Sequence, residues 1–208
     1  SSVATAQVPF GVPKAFVDMA QTVICHNSLE RFSLLYQLLV DIRSRKRRMD
    51  DAADPLIRKL AVMAKEVRRD IHKMRAFLRF REIEAEAGET FIAWFEPEHH
   101  IVRRNASFFV RRFAGMHWSI LTPQLSIHWD RNSLREGPAA RKEDAPSEDA
   151  VEEQWKTYYS SIFNPARLKV KAMLKEMPKK YWHNMPETAL VSSLIQSAQT
   201  REVRMIER

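Results

Sequence analysis

The segment Glu96-Pro97-Glu98-His99-His100 places carboxylates and imidazoles side by side, the groups that most often carry protons or ligate metals. Glu96, Glu98, His99 and His100 are therefore the candidate catalytic residues. Their spacing argues against a metal, because adjacent side chains on a helix diverge by about 100° while chelation from one helix uses i and i+3 or i+4. His100 recurs instead with Arg104, Ser107 and Arg111 at helical intervals, which suits a phosphate contact; a capping or surface role is the alternative. His117, Trp118, Ser119, His128, Trp129 and Asp130 bracket a second candidate region, where they would line a base-sized pocket or serve as strand-end caps and core tryptophans. Ser119 and His128 lack a diagnostic nucleophile spacing. Cys25 beside His26 reads as a small buried thiol, and Asp70 and His72, two apart on a helix, do not face each other.

Other chemistries are excluded more firmly. One cysteine allows neither an internal disulfide nor a thiolate-ligated zinc or iron–sulfur site. Gly11, Gly88, Gly115 and Gly137 stand alone, so no glycine-rich phosphate loop exists. The sequence calls for no metal and no cofactor.

The cationic residues carry the stronger signal. Lys and Arg number 34 against 26 Asp and Glu, a net charge of +8, which speaks to polyanionic partners rather than to fold. They cluster in 43–48, 56–76, 97–113 and 167–180. Arg58, Lys65, Arg69, His72, Arg104, Arg111, Lys169, Lys171, Lys179 and Lys180 are the candidate phosphate contacts, and Trp182 with Tyr181 a candidate stacking platform. The alternative is that these are solvated helix faces and core aromatics.

The elements that must position these residues follow from periodicity. Pro13 opens a helix to about His26; Ser28 caps a second, with Phe32, Leu35, Leu38 and Leu39 on one face; the charged run 41–54 is a solvated connection. Asp54-Pro55 starts the clearest helix, 56–76, with Leu60, Met63, Ala64, Val67, Ile71 and Met74 inward. Runs 77–83 and 91–95 predict a hairpin, 97–113 a helix, and 118–121 with 125–129 a second hairpin. Segment 131–147 predicts a flexible loop, and three further helices follow from Ser147, Pro165 and Glu187. The pattern is α+β, mainly helical, with a small antiparallel sheet built from two hairpins around a central helix.

Residues 1–11 read as a linker and 12–208 as a single domain. No apolar run approaches the roughly 20 residues of a bilayer span, so the expectation is a cytoplasmic protein without a membrane partner.

Three segments carry a resemblance: MAKEVRRDIHKMRAFLRFRE (63–82), FIAWFEPEHHIVRRNASFFVRRFAGMHWSILTP (91–123) and YYSSIFNPARLKVKAMLKEMPKKYW (158–182). They resemble the bacterial DNA-metabolism family, domain of unknown function 4130, over nearly the whole chain. The resemblance implies a DNA-repair setting with DNA as partner. It also implies a second protein partner: a radical-SAM repair protein of the spore-photoproduct-lyase type, or a uracil-DNA glycosylase-like domain fused behind this one. It transfers no catalytic residue. Two functions follow as expectations: an accessory domain that binds DNA and assists that partner, or an enzyme on damaged or cross-linked DNA that uses the acidic and histidine cluster. A protein-docking module is a third.

Overall fold

The computed structural model describes residues 11–85, 88–145, 177–185 and 188. They form an α+β fold, as the sequence predicts. The elements run α1 (Lys14–Val23), α2 (Arg31–Arg43), α3 (Pro55–Phe77), β1 (Arg81–Ala85), β2 (Gly88–Trp94), α4 (Val102–Arg112), β3 (His117–Leu121), β4 (Ser126–Trp129) and β5 (Leu134–Gly137). Short 3₁₀ turns follow at Lys142–Asp144 and Lys179–Asn184. The helices expected after Ser147, Pro165 and Glu187 lie outside the described residues.

The chain divides into two compact units: Ser1–Lys73 with Pro97–Asn105, and Met74–Glu96 with Ala106–Arg208. In the first, Phe16 and Val23 of α1, Leu35 and Leu38 of α2, and Leu56, Leu60, Met63 and Ala64 of α3 close one apolar core. Helix α3 begins where its sequence says it must. The Asp54 carboxylate accepts the N–H groups of Leu56 (2.8 Å) and Ile57 (3.1 Å), two of the donors that a helix start leaves unpaired. The same carboxylate bonds Arg47, which also holds Asp41, so the charged connection is pinned by an ion-pair network.

Helix α2 starts at Arg31, and Ser28 does not cap it; the Ser28 hydroxyl accepts the Glu30 N–H at 3.3 Å in a local turn instead. Phe32 is exposed rather than part of the core-facing side. The helix ends with Arg45 at φ 56, and the Lys46 N–H returns to the Asp41 carbonyl at 2.8 Å. This left-handed stop is the position that glycine usually fills.

The second unit contains one five-stranded sheet in the order β1-β2-β3-β4-β5. The two predicted hairpins are present, with α4 between them. They join through a parallel β2–β3 pair, Phe91 opposite Trp118 and Ala93 opposite Ile120, so the centre of the sheet is parallel and its flanks antiparallel. A parallel pair needs a crossover, and α4 lies in that connection. Phe80 and Phe113 meet edge to face at 5.1 Å, and Phe109 and Trp118 lie 6.4 Å apart, which builds an aromatic core. Strand β5 lies inside the segment expected as a loop. Its sequence, LREG, has no apolar alternation to betray it. The turn before it does the work: the Asp130 carboxylate accepts the Ser133 N–H (2.7 Å) and the Asn132 N–H (3.0 Å), while Arg131 takes φ 72.

Helix α4 spans Val102–Arg112, not 97–113. Residues 97–101 leave the helix because their polar groups are claimed elsewhere. The His99 N–H donates to Asp70 at 2.8 Å and the His100 N–H to the Cys25 carbonyl at 2.7 Å. His100 therefore precedes the helix, and its helical alignment with Arg104 and Arg111 does not exist.

Among the described residues no helix is long and apolar enough to cross a membrane.

Candidate functional site

The periodicity of α3 separates an apolar side from a cationic one. Leu60, Met63, Ala64, Val67 and Met74 are buried, whereas Arg58, Lys65, Arg69 and His72 are all exposed. At about 100° per residue these four lie within roughly 60° of one another, along about 21 Å of helix. Exposed Arg68 borders the same side, a residue that the sequence reading passed over. Several cations elsewhere are matched. Lys14 pairs with Asp18, Arg47 with Asp41 and Asp54, Arg48 with Asp50, Lys59 with Glu30 and Arg135 with Asp130. Arg58, Lys65, Arg68 and Arg69 have no ion pair among the described residues. A solvated, folded face normally interleaves both signs, and this one does not.

The other candidate contacts are dispersed. Arg104 is exposed on the first turn of α4, where its Nη1 donates to the Gln21 carbonyl at 2.9 Å. Arg111 is exposed near the end of the same helix. Lys179 and Lys180 are exposed on the 3₁₀ turn, while Tyr181 beside them is a core ring, stacked on Phe77 at 5.3 Å and on Phe95 at 5.6 Å. Trp182 is half-buried, its indole N–H donates to the Met177 carbonyl, and Lys179 Nζ lies 5.9 Å from its ring centre. Lys169 and Lys171 lie outside the described residues.

The acidic and histidine segment has no common geometry of attack. Glu96 is exposed and accepts the Trp94 indole N–H at 3.0 Å; Glu98 and His100 are exposed. His99 is buried, and its Nδ1 accepts the Asn27 N–H at 3.3 Å. Among the described residues no group of three His, Cys, Asp or Glu side chains is placed to hold a metal ion.

His99 belongs to a polar cluster within the first unit that sequence spacing concealed. Its ring lies 4.4 Å from that of His26. The Ser28 N–H donates to His26 Nδ1 at 3.0 Å, so the ring proton sits on Nε2 and is donated to Glu66 at 3.0 Å. Both ring nitrogens of His26 are then engaged, which leaves no lone pair to accept a substrate proton. Asp70, Lys73 and Asn105 are buried in the same unit. The cluster ties the α1–α2 turn and segment 97–101 to α3, and thereby fixes the helix that displays the basic face. Cys25, beside it, is half-buried; burial pushes its thiol pKa up, against the pull of Arg104 and Arg31, so it is no ready nucleophile.

On the sheet, Ser119 and His128 are cross-strand partners, and His128 Nδ1 lies 2.8 Å from Ser119 Oγ. Burial pushes the His128 pKa down. The ring leans over Gly137, where a side-chain carbon would fall 2.6 Å from Nε2. Trp118 is core, and the Trp129 indole N–H donates to the Ala114 carbonyl at 3.0 Å.

Fold and site together define an α+β domain whose longest described helix presents an unneutralised cationic line. The chain belongs to the family described as domain of unknown function DUF4130, whose model matches residues 29–187. No curated protein and no solved structure matches the chain.

Proposed function

We propose that this chain is a DNA-binding accessory domain of a DNA-repair system. It grips phosphates through the outer side of α3 and assists a partner enzyme, a uracil-DNA glycosylase-like domain or a radical-SAM repair protein. The observation that carries the proposal is the set of exposed cations Arg58, Lys65, Arg68 and Arg69, gathered on one side of α3 and unpaired among the described residues, whereas Arg47, Arg48 and Lys59 are held by carboxylates. Holding such charges side by side costs self-repulsion, which a polyphosphate relieves while its counterions are released. The engaged nitrogens of His26 and the scattered partners of Glu96, His99 and His100 favour this binding role over catalysis by the acidic and histidine cluster.

Titration of fluorescent single- and double-stranded oligonucleotides at about 50 and 200 mM salt tests it. Binding with little sequence preference is expected at the lower salt, falling by about a hundredfold or more at the higher. Absence of binding at low salt, or binding unaltered by Lys65→Glu with Arg69→Glu, rejects the proposal.

A further inference from the structure

Helix α2 carries a second apolar surface that its own core does not use. Leu35 and Leu38 are buried against α1 and α3, while Phe32 is 57% exposed, Tyr36 70% and Val40 43%, with Leu29 in the preceding turn at 91%. Phe32, Tyr36 and Val40 recur every four residues, which at about 100° per residue keeps them within roughly 80° of arc, a stripe about 12 Å long. The stripe is extended sideways. Lys59 bonds Glu30 and Glu66 bonds His26, so Val62, between them on α3 and 56% exposed, lies beside residues 26–30. A surface helix ordinarily reserves its outer side for polar residues, and an apolar, aromatic stripe there marks a contact.

Its borders specify the contact. The neighbouring outer positions Ser33, Gln37 and Ser44 are uncharged. The C-terminal end is strongly positive: Arg43 falls in line with the stripe, and Arg45 and Lys46 follow in the turn, all three exposed and without an ion pair among the described residues. The negative pole of the helix cannot neutralise three full charges.

We infer that the Leu29–Phe32–Tyr36–Val40 stripe is a docking site for an amphipathic helix of a protein partner. That helix lies antiparallel to α2, sets apolar residues spaced i, i+4, i+7 on the stripe, and brings an acidic first turn to Arg43, Arg45 and Lys46. Antiparallel packing favours both ends, since carboxylates at a helix start also meet its own positive pole. A second copy of this chain is disfavoured by its net charge of +8 and by Glu30, which already serves Lys59.

The test uses the full chain and three labelled 18-residue peptides read by fluorescence anisotropy. The first is a designed helix with leucines at that spacing and three glutamates in its first turn. The second has lysines in place of the glutamates, and the third is the first peptide scrambled. The acidic helix is expected to bind, and the lysine and scrambled peptides at least about tenfold more weakly. Phe32→Ala with Tyr36→Ala is expected to weaken the acidic helix by a further factor of about ten or more, as aromatic anchors do. The circular dichroism of that variant should match the parent, because both side chains are exposed. Equal binding of all three peptides, or of the acidic helix to both proteins, overturns the proposal. So does sedimentation showing a dimer that Phe32→Glu dissolves, which reassigns the stripe to self-association. Binding to neutral phosphatidylcholine vesicles that the same substitution abolishes reassigns it to a lipid surface.

Discussion

Gly137 shows how much one missing carbon can matter. His128 is held in place by Ser119 at 2.8 Å, and its ring occupies the space that a Gly137 side chain would need. Gly137→Ala forces the ring off Ser119 and should cost about 1–2 kcal/mol in urea unfolding. In a His128→Ala background the same change should cost almost nothing. An equal cost in both backgrounds would show that the ring is not the obstacle. Asp70 is a second such point. Its buried carboxylate accepts the His99 N–H at 2.8 Å, so Asp70→Ala strands a buried donor and should lower stability by about 1–3 kcal/mol. Neither residue announces itself in the sequence. Gly137 looks like one more loop glycine, and Asp70 looks idle beside His72, because side chains two apart on a helix do not face each other. His26 and Glu66 are forty positions apart in the chain. Pairing of that kind is set by which helices pack, and local spacing holds no record of it. What spacing does record is the side of a helix that a residue takes, which is why Arg58, Lys65, Arg69 and His72 fall together from the sequence alone.

The elements were legible where their ends carry local chemistry. Asp54-Pro55 supplies both a cap and a fixed φ, and α3 starts there. Helix α4 shows the converse: helical periodicity continues back to Pro97, yet Asp70 and the Cys25 carbonyl take the N–H groups of His99 and His100, and the helix begins at Val102. The parallel joining of the hairpins was equally hidden, since a strand's residues fix which side is buried but not which neighbour lies alongside. Strand β5 depends on Asp130, and that dependence predicts a response to acid. Hydrogen bonds from the Ser133 N–H, the Ser133 hydroxyl and the Asn132 N–H pull the Asp130 pKa down to about 2. The unfolded carboxylate titrates near about 3.9, so between these values the unfolded chain holds more protons than the folded one. The contribution of Asp130 to stability is thus complete above about pH 4 to 5 and lost as the pH falls toward 2. Urea midpoints measured from pH 5 to 2 should fall less steeply for Asp130→Asn than for the parent. Parallel curves would mean that the turn does not depend on the charged carboxylate.

At the scale of the whole molecule the question is where the net charge of +8 is concentrated and what it meets. Composition alone pointed to a polyanion without giving it a place. The structure supplies a distinction that composition lacks, between cations whose charge is spent on a carboxylate and cations whose charge is not. Arg47 and Lys59 are spent within the first unit: the one pins the α2–α3 connection, the other ties α3 to the residue before α2. Arg58, Lys65, Arg68 and Arg69 contribute nothing comparable to folding among the described residues, so neutralising them should leave stability nearly unchanged and strike binding alone. That separation permits a quantitative test. Each phosphate neutralised on duplex DNA contributes about −0.9 to the slope of log K against log salt concentration. Lys65→Gln with Arg69→Gln should therefore reduce the steepness of that slope by about 2, weaken binding at low salt on every duplex tried, and leave the urea midpoint within experimental scatter. Arg48→Gln, which breaks an exposed pair with Asp50 and removes one cation outside α3, is the control and should leave the slope as it was. If Arg48→Gln flattens the salt dependence as much as the loss of Lys65 and Arg69 does, the binding follows overall charge, and the line of cations on α3 is not the site.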